Sequence, residues 1–157
     1  MLGRAQGSEG GQAKLKDALD RAISIVFPHK KQRVNLNVPQ TLTAHTYPLD
    51  PLVQICVNLL QNASDAAPVD ASIDVAIRED DKQMISLSIE DQGPGIPEEI
   101  LPFIFEPFYT TKSPGEGTGL GLYTSYALAQ ELGGELSLNN IDNGGAIATL
   151  TLPIAPF

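Results

Sequence analysis

The chain has 157 residues, a net charge of -9 and a single cysteine. That fits one domain with a hydrophobic core and leaves no partner for an internal disulfide or a zinc cluster. Nineteen acidic against ten basic residues argue against a nucleic-acid partner, and no run approaches the ~20 apolar residues of a membrane span.

Residues 1–11, MLGRAQGSEGG, read as a flexible lead-in or as residues added for expression. Residues 12–157 read as one domain. From residue 12 to 27 the pattern is helical: Leu15, Ala18, Leu19, Ala22, Ile23 and Val26 recur at three- and four-residue steps. Pro28 stops the helix. Residues 34–38 alternate and read as a strand. A second helix is predicted from about residue 48 to 67, with a broad apolar face and Pro68 after it. Runs 72–78 and 84–90 alternate and suggest a hairpin. Residues 91–119 are rich in glycine and proline, and a stretch of that length inside a compact domain is often functional. A third helix is expected over about 120–132, ended by Gly133-Gly134. Two last strands, 135–139 and 146–153, flank Asp142-Asn143-Gly144-Gly145. Helices and strands do not alternate strictly. The expected class is therefore α+β, a two-layer sandwich with a mixed sheet backed by three helices, and not a doubly wound parallel sheet.

Four segments carry polar chemistry. On the second helix, Asn58 and Asn62 lie one turn apart, with Asp65 near the same face. Buried amides need partners, so solvent exposure or capping explains the pair as well as an amide oxygen holding Mg²⁺ does. Asp91-Gln92-Gly93-Pro94-Gly95-Ile96 follows a strand. Its carboxylate can accept a hydrogen bond from an exocyclic amine such as that of adenine, and Gly95 lets a flat ring approach. Taken alone, an ordinary Gly-Pro turn is the simpler account. Gly115, Gly117, Gly119 and Gly121 alternate ahead of the third helix. Backbone N–H groups there can face an anion, in neither the Walker nor the dinucleotide spacing. Between these segments, Phe103, Phe105 and Phe108 either anchor a flap or pack in the core, and Lys112 can reach a terminal phosphate. Cys56 reads as packing, and His29 and His45 as solvated surface residues.

Taken in order, these segments resemble the catalytic, ATP-binding domain of two-component sensor histidine kinases. That domain shares its superfamily with gyrase, the heat-shock chaperone ATPase and MutL. Residues 58–66 match the N box, 91–96 the first glycine box, 105–108 the F box, 115–122 the second glycine box and 144–153 the closing hairpin. The resemblance implies ATP bound between the helices and a lid at about 108–118. It implies Asn62 as the Mg²⁺ ligand, Asp91 as the reader of the adenine amine, and Gly95 at the ring. Thr118, Gly119 and Leu120 would offer backbone to the phosphates. Asn58, Asp65, Gly93, Ile96, Phe108, Thr111, Lys112, Gly117 and Gly121 complete the nucleotide set, with Asn58 and Lys112 in the catalytic role.

Hydrolysing relatives carry glutamate where this chain has Asn58. An amide is no base near neutral pH, which favours a kinase over an ATPase, since phosphoryl transfer rests on positioning and charge neutralisation. Ala146 stands where many relatives have threonine, so the water-mediated contact of that threonine with the adenine site is not expected. Neither His29-Lys30 nor His45-Thr46 matches the family's phosphoacceptor box. The acceptor is therefore expected on a separate dimerisation domain, in a longer, inner-membrane-anchored bacterial kinase that passes phosphate to a response regulator. This piece would be cytoplasmic, would bind ATP, and would not autophosphorylate alone. No secretory leader is expected from the opening residues. Stretches 62–68 and 139–146 also look like the RegB/PrrB redox-sensing subset. The competing readings are a non-catalytic, ATP-switched regulatory module and an anti-sigma-type serine kinase of the same fold. Phe105-Glu106-Pro107-Phe108 and Thr110-Thr111-Lys112 favour the histidine-kinase branch.

Overall fold

The computed structural model describes residues 11–29, 33–42, 44–80, 83–106, 121–142 and 144–154. The chain opens with a two-residue strand, β1 (Gln12–Ala13), where the sequence predicts helix. It pairs antiparallel with β3 (Tyr47–Pro48). Helix α1 (Leu15–Val26) starts only where Leu15 first reaches the core, and it buries Leu15, Ala18, Leu19 and Ala22. Gln12 has no apolar side chain to bury, so its backbone pairs instead with β3. Asp17 lies in the first turn, where its charge suits the helix dipole.

Helix α2 (Leu49–Ala66) buries Leu52, Ile55, Cys56, Leu59, Leu60 and Ala63. It stops at Ala67, before Pro68. Strands β2 (Arg33–Asn37), β4 (Ser72–Glu79), β5 (Met84–Glu90), β6 (Glu135–Asn140) and β7 (Ala146–Pro153) form one sheet in the order β2-β4-β5-β7-β6. The β2–β4 pair is parallel and the other pairs are antiparallel, so the sheet is mixed, as expected. Helix α3 (Gly121–Glu131) ends with Gly134 N–H on the Ala129 carbonyl and Gly133 N–H on that of Gln130, the 6→1 and 5→2 pattern of a glycine-stopped helix.

Register explains the two layers. Val75, Ile89, Ala148 and Leu138 stand in one cross-strand row, and Ile77, Leu87, Leu150 and Leu136 in another. These rows join the buried residues of the helices in a single core, and each fully buried Leu or Ile contributes about 1.5–3 kcal/mol. The alternate row, Ala76, Ser88, Thr149 and Ser137, is small and polar, as befits a solvated face. Tyr47 is buried and donates its hydroxyl to the Pro153 carbonyl at 2.6 Å. His45, expected at the surface, is half-buried with its ring 4.9 Å from that of Tyr47. Among the described residues no helix is long and apolar enough to cross a membrane.

Candidate functional site

Three pieces of chain meet at one end of the sheet: the second half of α2, the loop after β5, and the turn from β6 into β7. On α2, the half-buried Asn58 has both ends of its amide engaged. Its Nδ2 donates to the Gly121 carbonyl at 3.2 Å and to Ser125 Oγ at 3.1 Å. Its Oδ1 accepts from Gln54 Nε2 at 3.1 Å. Ser125 is fully buried, so the amide pins the first turn of α3 to α2. One turn on, Asn62 is half-buried, and its amide takes no hydrogen bond among the described residues. Asp65 is exposed and accepts from Gln61 at 2.9 Å.

Asp91 follows β5 and is buried. Its N–H donates to the Ala146 carbonyl at 3.0 Å. Its Oδ1 accepts from Gly93 N–H at 2.8 Å and from Ala146 N–H at 3.4 Å. The second carboxylate oxygen takes no hydrogen bond among the described residues, so it is available to a donor on a ligand. Ala146 holds Asp91 through its backbone alone, a contact that needs no side chain at that position. Close approach fixes two glycines here. A Cβ on Gly93 would lie 2.5 Å from the Ala66 carbonyl oxygen, and one on Gly145 would lie 2.1 Å from that of Asp91. The Asp91 turn therefore rests on the end of α2 and on the β6–β7 turn at once.

The loop's far end is also held. Asn140 Oδ1 accepts from Ile96 N–H at 2.7 Å and Asn140 Nδ2 donates to the Ile96 carbonyl at 2.6 Å. Beyond it, Ile104 is buried, and Phe105 packs on the core and stacks on Tyr126 with centroids 5.1 Å apart. Phe103 is exposed. Phe108, Thr111, Lys112, Gly117, Thr118, Gly119 and Leu120 lie outside the described residues.

Of the residues singled out from sequence, Asn58 and Gly121 are thus in direct contact, Asp91 bonds Gly93, and Gly95 and Ile96 sit on Asn140. Sequence reasoning missed Asn140, Ser125 and Gln54. Two cavities formed by described residues lie away from the Asp91 turn. One, of about 370 Å³, lies beside the start of α1 and is lined by Lys14, His45 and Tyr47 among others. The other, of about 410 Å³, lies between α1 and α2 and is lined by Arg21, Ile25, Val53, Gln54 and Val57 among others.

Residues 48–156 match the model of a family described as "Histidine kinase-, DNA gyrase B-, and HSP90-like ATPase". The chain belongs to that family. Its relatives include Sporulation kinase E of Bacillus subtilis, 38% identical over 103 residues that cover 66% of this chain and 14% of the relative. Sensor histidine kinase ZraS of Salmonella typhimurium is 30% identical over 143 residues, 89% of this chain and 30% of the relative. The chain therefore spans less than a third of either kinase. Among solved structures, the catalytic domain of histidine kinase ThkA superposes with a TM-score of 0.79 at 26% identity, covering 92% of this chain and 97% of that one. Within this ATPase family, the fold is that of a histidine kinase catalytic domain: three helices on a mixed sheet.

Proposed function

We propose that this chain is the catalytic domain of a sensor histidine kinase, binding Mg-ATP and donating the γ-phosphoryl group to a histidine on a separate helical domain. One observation carries the reading: Asp91 is buried with one oxygen fixed by two backbone N–H groups and the other open to a ligand. A carboxylate so held reads an adenine amine as an acceptor in a fixed direction. Gly95 and Ile96 would line the ring. Asn62, half-buried and with its amide unengaged among the described residues, fits a hard cation that takes amide oxygen and arrives with phosphates. When bound, Mg²⁺ would neutralise phosphate charge.

Asn58 serves by holding Gly121 and Ser125, which fixes the start of α3 where the phosphates would meet backbone N–H groups. It supplies no base, and this domain needs none of its own, because phosphoryl transfer rests mainly on positioning and charge neutralisation. Asp65, Gly93, Phe108, Thr111, Lys112, Gly117, Thr118, Gly119 and Leu120 complete the proposed site and its lid. Residues 12–157 would be one unit of a longer, cytoplasmic-facing, membrane-anchored kinase. Its partners would be its own dimerisation domain, carrying the acceptor histidine, and a response regulator.

The test is calorimetric titration with ADP or a non-hydrolysable ATP analogue, with and without Mg²⁺, on this chain and on Asn62→Ala. Mg²⁺-dependent binding that Asn62→Ala loses with its fold intact is the expected result. Absence of binding in both conditions overturns the nucleotide reading, and unchanged affinity in Asn62→Ala removes the metal role. Phosphotransfer to an added acceptor domain is the result expected next.

A further inference from the structure

We propose that Asn140 is a positioning residue for adenine-nucleotide binding, its side-chain amide setting the shape of the loop that carries Asp91, Gly93 and Gly95. The proposal rests on the nucleotide reading of that loop. A carboxamide offers an acceptor and a donor side by side, as a peptide group does. Ile96 offers the complementary pair from one residue, and both bonds form, at 2.7 and 2.6 Å. A single side chain thus does what a neighbouring strand would do. The backbone of Gly95 lies against the same group: a Cβ there would be 3.0 Å from Asn140 Oδ1.

The other end of the loop is tied to the same hairpin. Asp91 exchanges hydrogen bonds with the Ala146 backbone: its N–H donates to the Ala146 carbonyl at 3.0 Å, and its Oδ1 accepts from the Ala146 N–H at 3.4 Å. Residues 91–96 are therefore a span fixed at both ends to β6 and β7, and Asn140 is the fixing at the far end. Releasing it leaves Asp91 anchored and frees Ile96 and Gly95, the backbone against which the base would lie. Asn140 is exposed and ends an edge strand, so its loss should be felt in the loop rather than in the core.

The experiment compares the unsubstituted chain with Asn140→Ala and Asn140→Asp by NMR amide exchange and by ADP titration. In Asn140→Ala without nucleotide, the Ile96 amide should lose its protection while the melting temperature stays close to that of the unsubstituted chain. ADP should bind about tenfold more weakly, the scale of one lost net hydrogen bond or a little more. Asn140→Asp keeps the shape and the acceptor for Ile96 N–H, but sets an oxygen against the Ile96 carbonyl. It should bind ADP as poorly as the alanine variant, whereas a role of size alone would be rescued by aspartate. Retained Ile96 protection in Asn140→Ala, or unaltered ADP affinity after that protection is lost, overturns the proposal. If the unsubstituted chain itself fails to bind ADP, the nucleotide role falls, and the loop-holding role is decided by the Ile96 exchange alone.

Discussion

Asn58 and Ser125, 67 residues apart in sequence, are joined by a 3.1 Å hydrogen bond between α2 and a fully buried point on α3. The same amide nitrogen reaches the Gly121 carbonyl at 3.2 Å. Asn58 is therefore a clasp between two helices.

Ser125→Ala should cost about 1 kcal/mol, lowering the melting temperature by about 2–4 °C. Asn58→Ala breaks all three bonds of the amide and should cost more. The double variant should cost less than the sum, because both act on one contact. Denaturant unfolding of the four proteins checks this, and strict additivity would dissolve the clasp.

Asp91→Asn should keep its local fold, since Oδ1 still accepts from Gly93 and Ala146 N–H. The other oxygen becomes an NH₂ that faces the adenine amine donor to donor. ADP affinity should fall about 10- to 100-fold, with UTP affected much less. Equal losses for the two nucleotides would remove the adenine role.

Gly145→Ala should be damaging out of proportion to one methyl group. The backbone there has φ of 94°, and the new Cβ would sit 2.1 Å from the Asp91 carbonyl oxygen. A loss of at least about 2 kcal/mol is expected. Gly144→Ala, whose Cβ meets nothing within 4 Å though φ is 97°, should cost less. Thermal melts of the pair separate contact from backbone strain.

Alkali should destabilise the domain. Burial, with a smaller contribution from the charge of Glu79, raises the Tyr47 hydroxyl from 10.0 to about 12. Burial alone raises the Cys56 thiol from 9.0 to about 12. Both groups lose their protons first in the unfolded chain, so that chain binds fewer protons above pH 9 and stability falls as pH rises. The stabilisation is complete below about pH 9 and gone above about pH 12. Urea midpoints between pH 8 and 11 should decline, and Tyr47→Phe should flatten the decline above pH 10.

Much of this architecture was legible in residue periodicity. α2 has five turns to display its apolar stripe, and β4, β5 and β7 alternate over seven or eight residues. β1 and β3 were not legible, because two residues show no period and their pairs stand 34 and 36 positions apart. At the site, Asn58 and Asp91 drew notice as polar groups in apolar or glycine-rich settings. Asn140 and Ser125 did not, since their worth lies in partners 44 and 67 residues away. An asparagine ending a strand before a turn looks ordinary until Ile96 is placed beside it.

The small β1–β3 ribbon has a mechanical consequence. Gly11 accepts a hydrogen bond from Leu49 N–H at 2.9 Å, and Gln12 pairs with Pro48. The leading segment is thereby fastened to the foot of the helix that bears Asn58 and Asn62. At 1.5 Å per residue, Asn58 lies about 14 Å up that shaft from Leu49. A displacement of Gly11 therefore bears directly on the first turn of that helix, through the Leu49 N–H that it holds.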